Sequence, residues 1–379
     1  MNCNKFRAYF IIFLISVIPS FAFWGIFHLN LPAKIGYPNV TLKTIFANYD
    51  GPNYMVVAKC GYVKDCIRTH FSLPNKLEYY PAHLPGYPAL ISLFNLLLPG
   101  PVAMLLVTLI GTLIVNFAFF KLASEIINQK NAYFLTAAFT IFPGRWFILH
   151  QIGAPETLFV GFCLWSIIFF RQRKYLLAAL AAVAVQLIKS PGIILVGSYY
   201  LLALYELIGE KKAFALVAKK YAPFLLVPLV GLGIFYVYYL QTGDFFAYFH
   251  SGDNIHLTLL PFTSLISSQS WVNGIWLEDI IYIFFLGLYG CARLWGKYKW
   301  NILSIFPILF LTASLFVAHR DISRYVAPIY PFLFLAFAPH LKTKAFRFAL
   351  IIIIPAILLY AINFVIGNTA PIADWTPYL

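Results

Sequence analysis

Charge is what this chain of 379 residues has least of: Asp, Glu, Lys and Arg together make up 11% of it, with only 13 acids. Soluble domains carry about 25% charged residues, so the composition excludes an ordinary cytosolic enzyme. Cysteine is scarce too. Five residues are too few for a disulfide-built scaffold, although Cys60 and Cys66 are close enough in CGYVKDC to close a short loop. No further Cys/His pair has zinc-ligand spacing, so a divalent metal is compatible with the sequence but not indicated. There is no glycine-rich phosphate loop, no nucleotide fingerprint, no internal repeat and no low-complexity linker. These absences argue against a cytosolic ATP or nucleotide-sugar site.

What is present is apolar: 61% hydrophobic and 19% aromatic residues, with mean hydropathy +0.81, gathered in long uninterrupted blocks. About 20 such residues cross a bilayer as a helix. The chain therefore reads as one all-α polytopic membrane domain, residues 1–379, with about eleven spans: 8–28, 101–121, 132–148, 155–170, 175–188, 191–208, 222–241, 277–294, 301–318, 325–339 and 347–366. The first is longer than a signal-peptide core and lacks a cleavage site, so it reads as an uncleaved anchor. With the N-terminus inside, most of the 27 basic residues fall in internal segments, against only Glu125, Glu206 and Glu210 there. The net charge of +14 is then the positive-inside bias and no nucleic-acid footprint. Two outer segments are long, 29–100 and 242–276. The first is the most polar stretch of the chain and, broken by prolines, is expected to hold interfacial helices.

The informative part of that first loop is Asn48-Tyr49-Asp50-Gly51-Pro52-Asn53-Tyr54, followed by a helix-like run that stops at Gly61. Asp50 has two readings. It either N-caps that helix or, held near the membrane surface between aromatics, serves as a general base toward a hydroxyl. Downstream lies Tyr79-Tyr80-Pro81-Ala82-His83-Leu84-Pro85-Gly86-Tyr87-Pro88. An aromatic interfacial belt explains its tyrosines but not His83.

Together these boxes resemble the polyprenyl-phosphate-sugar-dependent glycosyltransferases of the GT-C fold class, the GPI mannosyltransferase II-like branch and its bacterial relatives above all. Phe142-Pro143-Gly144 with Ala154-Pro155-Glu156-Thr157-Leu158-Phe159, then Lys189-Ser190-Pro191-Gly192, then Arg324-Tyr325-Val326-Ala327-Pro328-Ile329-Tyr330-Pro331, follow in the order of that branch's boxes. The likeness covers roughly residues 40–335. Tyr49 stands where the family has Trp, Asn53 where it has His, and Lys189 where it has Arg. The resemblance implies a GT-C-like bundle, a polyprenyl-phosphate sugar donor and a hydroxyl acceptor on a glycan, lipid or protein. It also implies Asp50 as catalytic base, and Tyr49, Asn53, Tyr54, Tyr80, Glu156 and Tyr325 as substrate-binding candidates.

The residues themselves add the rest. A lipid-phosphate leaving group needs cations or N–H donors as its charge grows, and charges beside spans are costly unless paired or functional. Arg324, Lys189, Arg320 and His83 are the candidates for the donor phosphate, with Arg145 read as an interfacial anchor. The plainer alternatives are that Asp321 pairs with Arg320 or Arg324, and that Glu156 favours the dipole at the start of its helix. The expected protein is an inverting membrane hexosyltransferase acting on the outer face of a bacterial plasma membrane, with the endoplasmic reticulum as the alternative compartment. The rival class is a multi-pass transporter or flippase of a polyprenyl-linked substrate, which calls for ionisable or broken-helix sites at mid-membrane.

Overall fold

The computed structural model describes residues 3–48, 50–252, 256–266 and 274–379. Among them the chain is helical throughout, with only two isolated β-bridges, Asn48 with Thr369 and Leu257 with Val317. The helices run α1 (Cys3–His28), α2 (Leu42–Phe46), α3 (Gly51–Cys60), α4 (Lys64–His70), α5 (Gly86–Phe94), α6 (Gly100–Ile126), α7 (Gln129–Ile141), α8 (Gly144–Leu149), α9 (Glu156–Arg171) and α10 (Tyr175–Ile188). They continue as α11 (Gly192–Leu204), α12 (Phe214–Tyr221), α13 (Leu226–Thr242), α14 (Ala247–His250), α15 (Gly274–Tyr298), α16 (Ile302–Leu315), α17 (Ile322–Tyr325), α18 (Tyr330–Ala336), α19 (Ala338–Leu341) and α20 (Lys344–Gly367). Six helical stretches are long and apolar enough to cross a membrane: Phe6–His28, Gly100–Ile126, Gly192–Gly209, Phe214–Thr242, Glu278–Tyr298 and Lys344–Gly367. Shorter apolar helices lie at Tyr175–Ile188, Ile302–Leu315 and Ala327–Ala336. The protein is thus all-α and suited to a membrane.

Two of the expected spans are not continuous helices. Residues 132–148 break at a cis Phe142–Pro143 peptide into α7 and α8. Residues 325–339 break into a 3₁₀ turn and the short α18 and α19, at Pro328, Pro331 and Pro339. Apolar composition continues through both, but each proline removes a backbone donor and favours a helix start over its continuation.

The bundle is built around α6, which packs against α1, α5, α7 and α9, while α9 packs in turn on α10. The contact of α6 with α9 is close. A Cβ on Gly111 would lie 2.8 Å from the backbone nitrogen of Leu158, so the small residue sets the spacing. Behind this crossing Phe119, Phe139, Trp146 and Phe334 form the aromatic heart of the core.

Residues 29–100 carry the expected short helices. Cys60 and Cys66 are joined in a disulfide, and the run begun at Gly51 ends at Gly61, in a positive-φ conformation. The end of the chain folds back over this segment. Asn48 Nδ2 donates to the carbonyls of Val365 and Asn368, Lys59 Nζ donates to the Pro377 carbonyl, and Tyr378 packs on Phe71.

Candidate active site

Asp50 stands immediately before α3, whose start is fixed by Pro52 in its first turn. Its carboxylate makes no capping hydrogen bond to that helix, so the capping alternative is set aside. Asp50 Oδ2 instead accepts from Arg324 Nη2 at 3.0 Å. The neighbouring Gly51 explains how this acid comes against the segment that leads into α9. A Cβ on Gly153 would come within 3.0 Å of the Gly51 Cα, so two bare backbones touch and bring the Asp50 segment against the turn that precedes α9.

That turn is pinned to α6. Thr108 Oγ1 donates to the Ile152 carbonyl at 3.0 Å and shares a 2.7 Å hydrogen bond with the Tyr87 hydroxyl, while Thr112 bonds His150. The pinned turn leads directly into Glu156, which is 2% exposed. Its Oε1 accepts from Arg324 Nε and from Lys189 Nζ, both at 2.6 Å. Its Oε2 is buried and finds no donor among the described residues. Glu156 is therefore the buried centre of a chain of charges, Asp50–Arg324–Glu156–Lys189, drawn from four well-separated parts of the sequence. The two ends are the open parts: the side chains of Asp50 and Lys189 are each 27% exposed, against 11% for Arg324 and 3% for Glu156.

Arg324 is aimed by a second ion pair. Asp321, which begins the turn into α17, accepts from Arg145 Nε at 2.9 Å and Nη2 at 2.5 Å, and the Arg145 guanidinium lies 4.0 Å over the Phe364 ring. The expectation that Asp321 pairs with Arg320 or Arg324 is corrected here, and Arg145 is a buried clamp instead of an interfacial anchor. The physical reason is that α8 is buried from Arg145 to Leu149, so Arg145, only 3% exposed, must be paired. At the other end, the Tyr248 hydroxyl donates to Ser190 Oγ at 2.6 Å, so the segment that follows α13 braces the Lys189 turn.

The remaining candidates divide. His83 and Tyr54 belong to the same neighbourhood. Their rings meet edge to face at 4.7 Å, and Tyr54 meets Tyr87 at 4.9 Å. Burial lowers the His83 imidazole to about 4 despite the nearby Asp50 carboxylate, so it is neutral at physiological pH. Burial, with the carboxylates of Asp50 and Glu156, holds the Tyr54 phenol well above its ordinary value. Asn53 is buried and accepts from Asn75 Nδ2 at 2.7 Å. Tyr80 is a core residue, 1% exposed. Tyr325 packs edge-on against His256 and at a tilt against His319. Arg320 is exposed and does not join the charge chain, because the tight turn after it directs Arg324 inward instead. Tyr49 lies outside the described residues.

Sequence reasoning missed the Arg145–Asp321 pair and the His256–His319–Tyr325 ring group; an Asp between two arginines drew attention to its neighbours and away from a partner 176 positions off. Among the described residues the grouping of metal-capable side chains is Cys60, Cys66 and His70, and the disulfide takes two of its three donors, so it does not fit a metal ion. Compared with known proteins, the chain matches no family model and no curated sequence.

Proposed function

We propose that this protein is an inverting membrane glycosyltransferase with a GT-C-like bundle of about eleven spans. It moves a sugar, a mannose-like hexose by the resemblance, from a polyprenyl-phosphate donor to a hydroxyl acceptor at the outer face. What carries the reading is the meeting of Asp50 and Glu156 on Arg324, with Lys189 beside them. Those are the base and the cations that the sequence singles out, on segments far apart in the chain.

In the proposed reaction the acceptor hydroxyl oxygen attacks C1 of the sugar from the side opposite the phosphate. The new C1–O bond forms as the C1–O bond to the phosphate breaks. The electron pair leaves on the phosphate oxygen, and the hydroxyl proton passes to Asp50. Arg324 orients the Asp50 carboxylate. Lys189, whose ammonium has three donors and a single hydrogen bond to Glu156 among the described residues, meets the departing phosphate. Glu156 keeps the two neighbouring cations from repelling each other. The inside orientation of the basic loops and residence in a bacterial plasma membrane complete the proposal.

The test is transfer from radiolabelled polyprenyl-phosphate sugars by the purified full chain. Asp50→Asn is expected to lower turnover by about 10²- to 10⁴-fold while donor binding and thermal midpoint stay near wild type. Wild-type transfer by Asp50→Asn would overturn the base assignment. Movement of intact donor across vesicles without release of sugar would favour the transporter reading.

A further inference from the structure

The far end of α9 from Glu156 carries a second built feature. Fifteen residues on, about 22 Å along the helix, Arg171 lines a cavity of about 290 Å³ together with Arg173, Glu206, Lys220, Tyr221 and Trp300. This lies near the lower size limit of small-molecule sites. Three cations face one carboxylate there. Lys220 is held in place: its Nζ donates to Glu206 Oε1 at 2.5 Å and lies 4.8 Å over Phe170 and 4.9 Å over Tyr221. Arg171 is paired with Glu125 at 2.7 Å, whereas Arg173 is exposed and makes no ion pair among the described residues. One wall is Trp300, which is held in place by stacking on Tyr205 with ring centroids 4.4 Å apart.

The backbone around this cavity is unusual in a consistent way. Glu206 sits on a π-helical turn, Tyr205–Gly209, a rare form that is frequent at functional sites. Three adjoining turns each place a basic residue at positive φ: Arg173 (62°), Lys211 (51°) and Lys299 (49°). Glycine or asparagine ordinarily fills such positions, because a Cβ is crowded there. A basic side chain at all three is not what turn geometry selects.

We infer that this cavity binds a phosphate group, carried by an anionic phospholipid or by a small soluble phosphate ester. Arg173 and Lys220 contact the phosphate, Trp300 and Tyr221 flank the headgroup, and the apolar Leu202 and Ile302 receive the start of an acyl chain. Basic pockets between membrane helices at the basic end of a bundle are suited to such headgroups. The site is separate from the Asp50 chain of charges and stands whether or not the proposed transfer reaction does.

The experiment uses the delipidated full chain in neutral detergent, with bound lipid counted by native mass spectrometry. Phosphatidylglycerol is expected to bind at least about tenfold more tightly than phosphatidylcholine. Arg173→Gln and Lys220→Gln are each expected to weaken it about fivefold, the weight of one basic residue near a headgroup. Lys219→Gln, on the exposed neighbouring position, should leave it unchanged. Because Arg173 makes no ion pair among the described residues and is exposed, its variant keeps the test decisive if Lys220→Gln is unstable. Competition by millimolar inorganic phosphate identifies the phosphate alone as sufficient, and its absence identifies the lipid as the source; both outcomes support the site. Equal weakening by Arg173→Gln and Lys219→Gln, equal binding of the two lipids, or binding of oleate as tight as phosphatidylglycerol would each overturn it.

Discussion

Among the described residues, two of the ion-pair systems lie on neighbouring segments, and they are built to different ends. Arg145–Asp321 is closed: two parallel hydrogen bonds, a ring against the guanidinium, and side chains 3% and 14% exposed. Asp50–Arg324–Glu156–Lys189 is open: its centre is buried, but a carboxylate at one end and an ammonium at the other reach the surface. A closed pair returns its desolvation cost only through its own geometry, so its role is to fix where α17 sits relative to α8. An open chain keeps its end groups aligned and accessible, the arrangement that the proposed general-base chemistry would use. The two residues between Asp321 and Arg324, Ile322 and Ser323, couple the two, so the closed pair aims the open one.

The largest expected effect separates them by stability. Arg145→Ala leaves the Asp321 carboxylate buried without its clamp and should cost about 3–5 kcal/mol, read as a fall in the denaturation midpoint and in monodisperse protein. Replacing both members, Arg145→Met with Asp321→Leu, should recover most of that loss while misplacing Arg324. Asp50→Asn should hardly move the midpoint. If it destabilises as much as Arg145→Ala, the two systems are one structural network and the contrast fails.

Next in size is Glu156→Gln, which keeps the shape but takes the charge from between two cations. A loss of about 1.5–3 kcal/mol, the worth of a hydrogen bond to a charged group, is expected in urea or thermal denaturation, with Lys189→Gln partly relieving it. Additive single-site losses in that double variant would show that Lys189 and Arg324 do not share Glu156 in solution.

How much of this was legible beforehand follows the same division. The apolar blocks announced an all-α membrane protein because hydropathy is additive along the chain. They passed over the breaks in residues 132–148 and 325–339, since mean hydropathy runs on through Pro143, Pro328, Pro331 and Pro339 while each proline acts on backbone geometry. Asp50, Glu156, Lys189 and Arg324 were each visible as charges that an apolar chain would otherwise not carry. Their pairing was not, because it depends on where Gly51 and Gly153 let two backbones touch. Arg320 looked equivalent to Arg324 by spacing, and a single turn separates their directions.

A smaller effect tests the scaffold on which Glu156 rests. Gly111→Ala places a Cβ against the Leu158 backbone, and overpacking of this kind costs about 1–3 kcal/mol. The displaced element would be the first turn of α9, so the variant should lose activity beyond its loss of stability. Unchanged stability would mean that the α6–α9 crossing is looser than drawn.

The smallest effect comes from His83, packed between Tyr54 and Tyr79 in the same neighbourhood. Burial lowers its imidazole from 6.5 to about 4. As pH falls below about 6.5 the unfolded chain takes up a proton that the folded chain refuses, so stability present at neutral pH is lost progressively down to about pH 4, by at most about 1.4 kcal/mol per pH unit. His83→Gln removes this one proton and should flatten the midpoint between pH 6.5 and 4.5 relative to wild type, with no difference above pH 7. Parallel wild-type and variant curves across that window would mean that His83 is not shielded from water, and that the open chain of charges extends further toward solvent than the closed pair beside it.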